Sequence, residues 1–117
     1  MEFHAPDHVF ECVPAVCGND KDKDPVVFGL RVITVPENDK LLEEARGMSR
    51  EAADKKTYEK IKEKVTFIRN LVIGGKPVTD FDEFYKNGPP EMVRWVCAAV
   101  YSTQALSLAE RKNSLPE

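Results

Sequence analysis

Between Pro25 and Pro36 lies the run Val26-Val27-Phe28-Gly29-Leu30-Arg31-Val32-Ile33-Thr34-Val35, dense in β-branched and aromatic residues. Phe28, Leu30 and Val32 alternate with Gly29, Arg31 and Ile33, the period that gives a strand one buried face. A single strand leaves its backbone groups unpaired, so the chain must supply a partner. Val9, Phe10, Cys12, Val13 and Val16 form the nearest apolar segment. The stretch from Cys17 to Pro25, with its alternating Asp and Lys, reads as a solvated, flexible connection. An antiparallel β-hairpin over about residues 8–35 follows, ended by Pro36.

Beyond Pro36 the periodicity changes. Asn38 or Asp39 is expected to cap a short helix running through Arg46, with Gly47 as its terminator. Ser49 is placed to cap a second helix over about 50–64. Tyr58, Ile61, Val65, Ile68 and Val72 keep helical spacing, yet Val65, Phe67, Leu71 and Ile73 also alternate. Residues 65–73 therefore read either as helix or as strand, with extended chain preferred and the Gly74-Gly75 turn as its end. Thr79 or Asp80 caps a short helix bearing Phe81, Phe84 and Tyr85, which Asn87-Gly88 closes. Pro89-Pro90 opens the most regular helix, since a proline in the first turn lacks only an N–H that has no partner there. Met92, Val93, Trp95, Val96, Ala99, Val100 and Thr103 give it a wide apolar face, and Ser107 is expected to cap a last short helix.

The fold class expected is α+β: the N-terminal hairpin, then a mainly helical C-terminal part, packed as one domain over 1–117. Residues 1–7 and 114–117 are expected to be frayed. A chain of 117 residues with 42% hydrophobic composition can bury one core. Its net charge of −3 argues against a broad grip on a nucleic-acid backbone. No apolar run approaches the length of a membrane span, and the acidic, polar N-terminus lacks the pattern of a signal peptide. Three cysteines, an odd number, fit a reducing cytoplasm better than a disulfide framework.

The inventory for chemistry is thin. His4, His8, Cys12 and Cys17 are four potential soft-metal ligands, but their spacing matches no common zinc pattern, so no metal or cofactor is expected. Asp20, Asp22 and Asp24 imitate the opening of a calcium loop, which then fails at Pro25 and Arg31. Gly74-Gly75-Lys76-Pro77 lacks the first glycine and the hydroxyl residue of a phosphate loop. Both histidines lie in the first eight residues, poorly placed to activate a nucleophile, so an enzyme is not expected. The aromatic set Phe81, Phe84, Tyr85 and Trp95 remains. It either packs inside the core or exposes part of itself as a protein-binding site, because aromatic residues dominate interface hot spots.

The order of segments carries a resemblance. A hairpin ending in Leu30-Arg31-Val32-Ile33-Thr34-Val35 leads to a charged helix, then to the continuous segment from Phe67 through Tyr85, then to Gly88-Pro89-Pro90-Glu91-Met92-Val93 and an apolar helix. This order resembles the tail assembly chaperones and related tail-region proteins of long-tailed bacteriophages and prophages. The resemblance implies a non-catalytic protein of the bacterial host cytoplasm that binds tape-measure and tail-tube proteins and is absent from the finished virion. A tail-completion or connector subunit that stays in the particle, and a phage-encoded inhibitor of a host protein, are the alternatives. A homo-oligomer is compatible with any of these.

Overall fold

The structure is a computed structural model that describes residues 1–110. It is an α+β fold in which three short antiparallel strands form one sheet in the order β1, β2, β3. β1 spans Phe10–Cys12, β2 Val27–Leu30 and β3 Val65–Arg69. The expected hairpin is therefore present, but shorter than 8–35, and extended by a third strand from the segment that reads two ways in sequence. Pairing runs Phe10 to Leu30 and Cys12 to Phe28, then Phe28 to Ile68. That register puts Phe10, Cys12, Phe28, Leu30 and Ile68 together in the buried core.

The other face of the sheet is built around a glycine. Gly29 sits opposite Phe67, and a β-carbon added at Gly29 would collide with the Phe67 ring and Thr66 Oγ1. The ring occupies the space a side chain would need. Arg69 lies 4.5 Å above the same ring and reaches Glu11 at 3.5 Å, so one charged pair roofs the aromatic.

The connection between β1 and β2 is folded, in contrast to the flexible loop expected. Asn19 is buried within it. Its side-chain amide donates to the carbonyls of Pro14 and Val26, and its oxygen accepts from the Val26 N–H. One side chain thus closes the loop across seven residues of chain.

After Leu30 the chain leaves the sheet, and the first helix, α1, spans Val35–Ala45. Thr34 caps it, not Asn38 or Asp39. The Thr34 hydroxyl accepts from the Glu37 N–H, and Glu37 Oε1 accepts from the Thr34 N–H at 2.9 Å. Pro36 sits in the first turn, so it starts this helix as well as ending the extended run. α2 spans Arg50–Lys64, capped by Ser49, and returns antiparallel to α1. Neither helix is deeply packed: no α1 residue is buried, and α2 buries only Ile61 and Lys64. Ion pairs join them instead, Glu44 to Lys56 at 3.1 Å and Glu37 to Lys60 at 3.0 Å. Lys64 is the exception among them. Its side chain is 6% exposed, and its ammonium lies 2.8 Å from Glu37 Oε2.

β4 (Val72–Ile73) and β5 (Lys76–Pro77) make a two-residue hairpin across Gly74 and Gly75, both at positive φ. Turns of that hand match strand twist, and only glycine adopts them freely. Three helices follow among the described residues: α3 (Phe81–Asn87), capped by Asp80, α4 (Pro90–Ala99) and α5 (Thr103–Ala109). Ser102, not Ser107, caps α5, because the chain turns immediately after α4 and Ser102 Oγ accepts from the Ala105 N–H. Met92, Val96 and Ala99 of α4 and Val100 at its C-terminal end are buried, with Phe84 of α3 and Leu106 of α5. Residues 1–7 form neither helix nor strand, and the expected fraying at 114–117 lies outside the described residues. Among the described residues no helix is long and apolar enough to cross a membrane.

Two outcomes are expected. Gly29→Ala should cost about 1–3 kcal/mol in urea unfolding, through the crowding of Phe67. The cost should shrink in a Phe67→Ala background, because the obstacle is gone. Glu37→Gln should cost about 3 kcal/mol, since it strands the buried Lys64 ammonium. Burial pushes the Glu37 carboxyl up, but Lys64, the Thr34 backbone, Lys60 and the Thr34 hydroxyl outweigh it and hold it far below the usual carboxylate range. The folded chain therefore keeps this carboxylate ionised where the unfolded chain protonates it. The associated stability is complete above the unfolded value of about 4.3 and is lost as pH falls below it. Urea titrations from neutral to acid pH should show this slope in the parent chain and a reduced one in Glu37→Gln.

Candidate protein-binding surface

The four aromatics singled out in sequence do not act as one group. Phe81 and Phe84 are buried, Phe84 completely, with its ring 4.9 Å from that of Phe28. They belong to the core. Tyr85 is 47% exposed. Trp95 is partly buried against the core. At 3.6 residues per turn Trp95 lies about 200° around α4 from Val93, so the buried stripe separates the two. Among the described residues Trp95 makes no ring contact with the other three.

Tyr58 of α2 takes the place expected for Trp95. Its ring packs 4.7 Å from Tyr85, edge to face, and 5.6 Å from Phe81. The Tyr58 hydroxyl donates to Asp82 Oδ1, and Lys62 reaches Asp82 Oδ2 at 2.6 Å. Burial and then the Asp82 carboxylate raise the Tyr58 hydroxyl above its ordinary value. Lys62 and then Tyr58 hold Asp82 below its own. The hydroxyl stays a donor and the carboxylate an acceptor, which makes the contact a polar latch between α2 and α3. Tyr58 was visible in sequence only as one member of a helical stripe.

The corner between α3 and α4 is stiff. The Gly88 N–H donates to the Phe84 carbonyl at 2.7 Å, and a β-carbon at Gly88 would lie 2.8 Å from the Phe84 ring. Pro89 and Pro90 then start α4. Beside this corner runs a shallow groove of about 410 Å³. Tyr85, Gly88, Pro90, Val93 and Cys97 supply most of its lining, and Lys86 and Arg94 add two cations. Burial raises the Cys97 thiol, so it stays protonated and contributes apolar surface. The groove between α1 and α2 differs in kind, because seven of its eight lining residues are Glu or Lys.

The potential metal ligands also separate. Cys12 is buried, its thiol directed at the carbonyls of Phe10 and Leu106, each 3.7 Å away. Burial, then the charge of Glu110, push that thiol up to about 12. Cys17 is exposed. His4 and His8 come together with Glu110 instead. Asp20, Asp22 and Asp24 form no metal-sized cluster among the described residues. No protein-family model, curated protein or solved structure matches the chain.

Stability measurements should divide the aromatic set. Phe84→Ala is expected to cost about 3–5 kcal/mol, as a large side chain removed from a closed core. Tyr85→Phe should change unfolding free energy by no more than about 0.5 kcal/mol, because Tyr85 is half-exposed and its hydroxyl makes no hydrogen bond among the described residues. Equilibrium urea unfolding of both variants checks the division.

Proposed function

We propose that this chain is a non-catalytic protein-binding protein, acting as a tail assembly chaperone of a long-tailed phage or prophage in its host's cytoplasm. Its binding site is the groove beside the α3–α4 corner. The observation that carries this reading is the groove's chemistry: an apolar floor with Lys86 and Arg94 at hand, in a chain of net charge −3. A cationic apolar groove on an acidic protein selects a segment with the opposite pattern, apolar on one side and flanked by Asp or Glu. The helical segments of a tape-measure protein are the partner that the resemblance implies.

The stiff corner favours this use. A groove already shaped before the partner arrives costs little ordering entropy on binding. Tyr85 supplies the exposed aromatic anchor, while the rings of Phe81 and Tyr58 pack against it. Rim charges set the encounter rate and the salt dependence, and the aromatic anchor sets how long the complex lasts.

The test is fluorescence anisotropy with labelled acidic helical segments of tape-measure proteins and segments of tail-tube proteins from long-tailed phages. Binding should weaken by at least about tenfold in Tyr85→Ala and Arg94→Glu, a loss of about 1.4 kcal/mol. Far-UV circular dichroism should be unchanged in both. Segment binding that ignores both substitutions would remove the groove from the function. Failure of every tape-measure and tail-tube segment to bind would remove the chaperone role itself.

A further inference from the structure

The only two histidines of the chain meet beside the first strand. The rings of His4 and His8 stack with centroids 3.7 Å apart and planes 4° from parallel. Both present Nε2 to one carboxylate: His8 lies 3.1 Å from Glu110 Oε2 and His4 4.0 Å from Glu110 Oε1. One ligand atom from each residue lies within 4.8 Å of the others. We propose that His4, His8 and Glu110 form a binding site for a divalent transition-metal ion, zinc in the first instance, which clips the N-terminal segment to the end of α5.

The geometry is close to what such an ion needs. Zinc bonds of about 2.0–2.1 Å in a tetrahedral site put ligand atoms roughly 3.4 Å apart. The His8–Glu110 pair is already inside that spacing. The stacked rings aim their Nε2 lone pairs in parallel, so the exposed His4 ring turns out of the stack to bring its own onto the ion. Two imidazoles and one carboxylate suit zinc, copper, iron or nickel better than calcium or magnesium. Three protein ligands leave at least one position open to water or a small anion.

The surroundings hold His8 and Glu110 in place and keep His4 beside them. Phe10 packs edge-on against both rings, at 4.5 Å from His8 and 5.3 Å from His4. A turn in which the His8 N–H donates to the Ala5 carbonyl brings the two histidines to the same side. Glu110 is fixed by its bridge to Cys12, and next to it the Val13 N–H donates to the Ala109 carbonyl. Neither Cys12 nor Cys17 takes part, since Cys12 points into the core and Cys17 lies outside the cluster. The site is independent of the groove at the α3–α4 corner, and either assignment stands without the other.

The experiment is calorimetric titration of Zn²⁺ into the full chain slightly above neutral pH, with Co²⁺ absorption as a second readout. One Zn²⁺ should bind per chain. His4→Ala, His8→Ala and Glu110→Gln should each weaken it by at least about tenfold, no less than the loss of a mere supporting contact. His4→Ala is the cleanest variant, because residue 4 lies in no helix or strand. Zn²⁺ should raise the melting temperature of the parent chain and not that of His4→Ala. The Co²⁺ form should show ligand-field bands without thiolate-to-cobalt charge transfer, and Cys17→Ser should bind as the parent does. Absence of Zn²⁺ binding would overturn the proposal and leave a histidine–carboxylate hydrogen bond only. Binding unchanged in the three ligand variants, or a charge-transfer band abolished by Cys17→Ser, would overturn the assignment.

Discussion

Lys64 is a buried cation at the point where the second helix becomes a strand, and a buried charge is tolerated only when it is paired. Glu37 pairs it, and the division of labour between its two oxygens organises this half of the molecule. Oε1 completes the capping box with Thr34, fixing where α1 begins. Oε2 receives Lys60 and Lys64, fixing how α2 lies against α1. The Lys64 carbonyl in turn accepts from the Arg31 N–H, which ties β2 to the start of β3. One carboxylate therefore sets a helix start, a helix pairing and the entry to a sheet. The apolar contacts of α1 are too sparse to do this.

The sequence shows an element where local chemistry and tertiary demand agree. Arg50–Lys64 follows its cap at Ser49, the Gly74-Gly75 turn falls where two positive φ angles are required, and Asp80 and Pro90 open their helices. It misleads where one residue type serves two purposes. Ile33-Thr34-Val35 has the composition of a strand, yet Thr34 and Glu37 form a capping box three residues apart, and the box wins. Asn19 reads as one more polar loop residue because its partners, Pro14 and Val26, are backbone groups that no side-chain pattern reveals.

The candidate surface was legible by residue type and illegible by direction. Phe81, Phe84 and Tyr85 share a short helix, and only its rotation against β2 decides that the first two face inward while Tyr85 does not. Trp95 lies across the buried stripe of α4, and Tyr58 arrives from a helix more than twenty residues earlier. The meeting of Glu110 with His8 spans 102 residues, and no local signal encodes such a contact. Short-range rules propose which side chains have suitable chemistry. The fold decides which of them become neighbours.

The closure of the sheet's outer edge has a consequence for synthesis. β1 is paired on one side by β2 and bridged on the other by Glu110, with the Val13 N–H bonded to the Ala109 carbonyl. Among the described elements β1 is the first strand made, and Ala109 and Glu110 come only with the end of α5. Until α5 is made, β1 carries an open edge of the kind that recruits foreign strands. Its brevity, three residues, limits how much pairing that edge can offer a neighbouring nascent chain. A longer β1 would add pairing to the finished sheet and enlarge the hazard on the polysome, so its shortness protects the chain during the interval before α5 arrives.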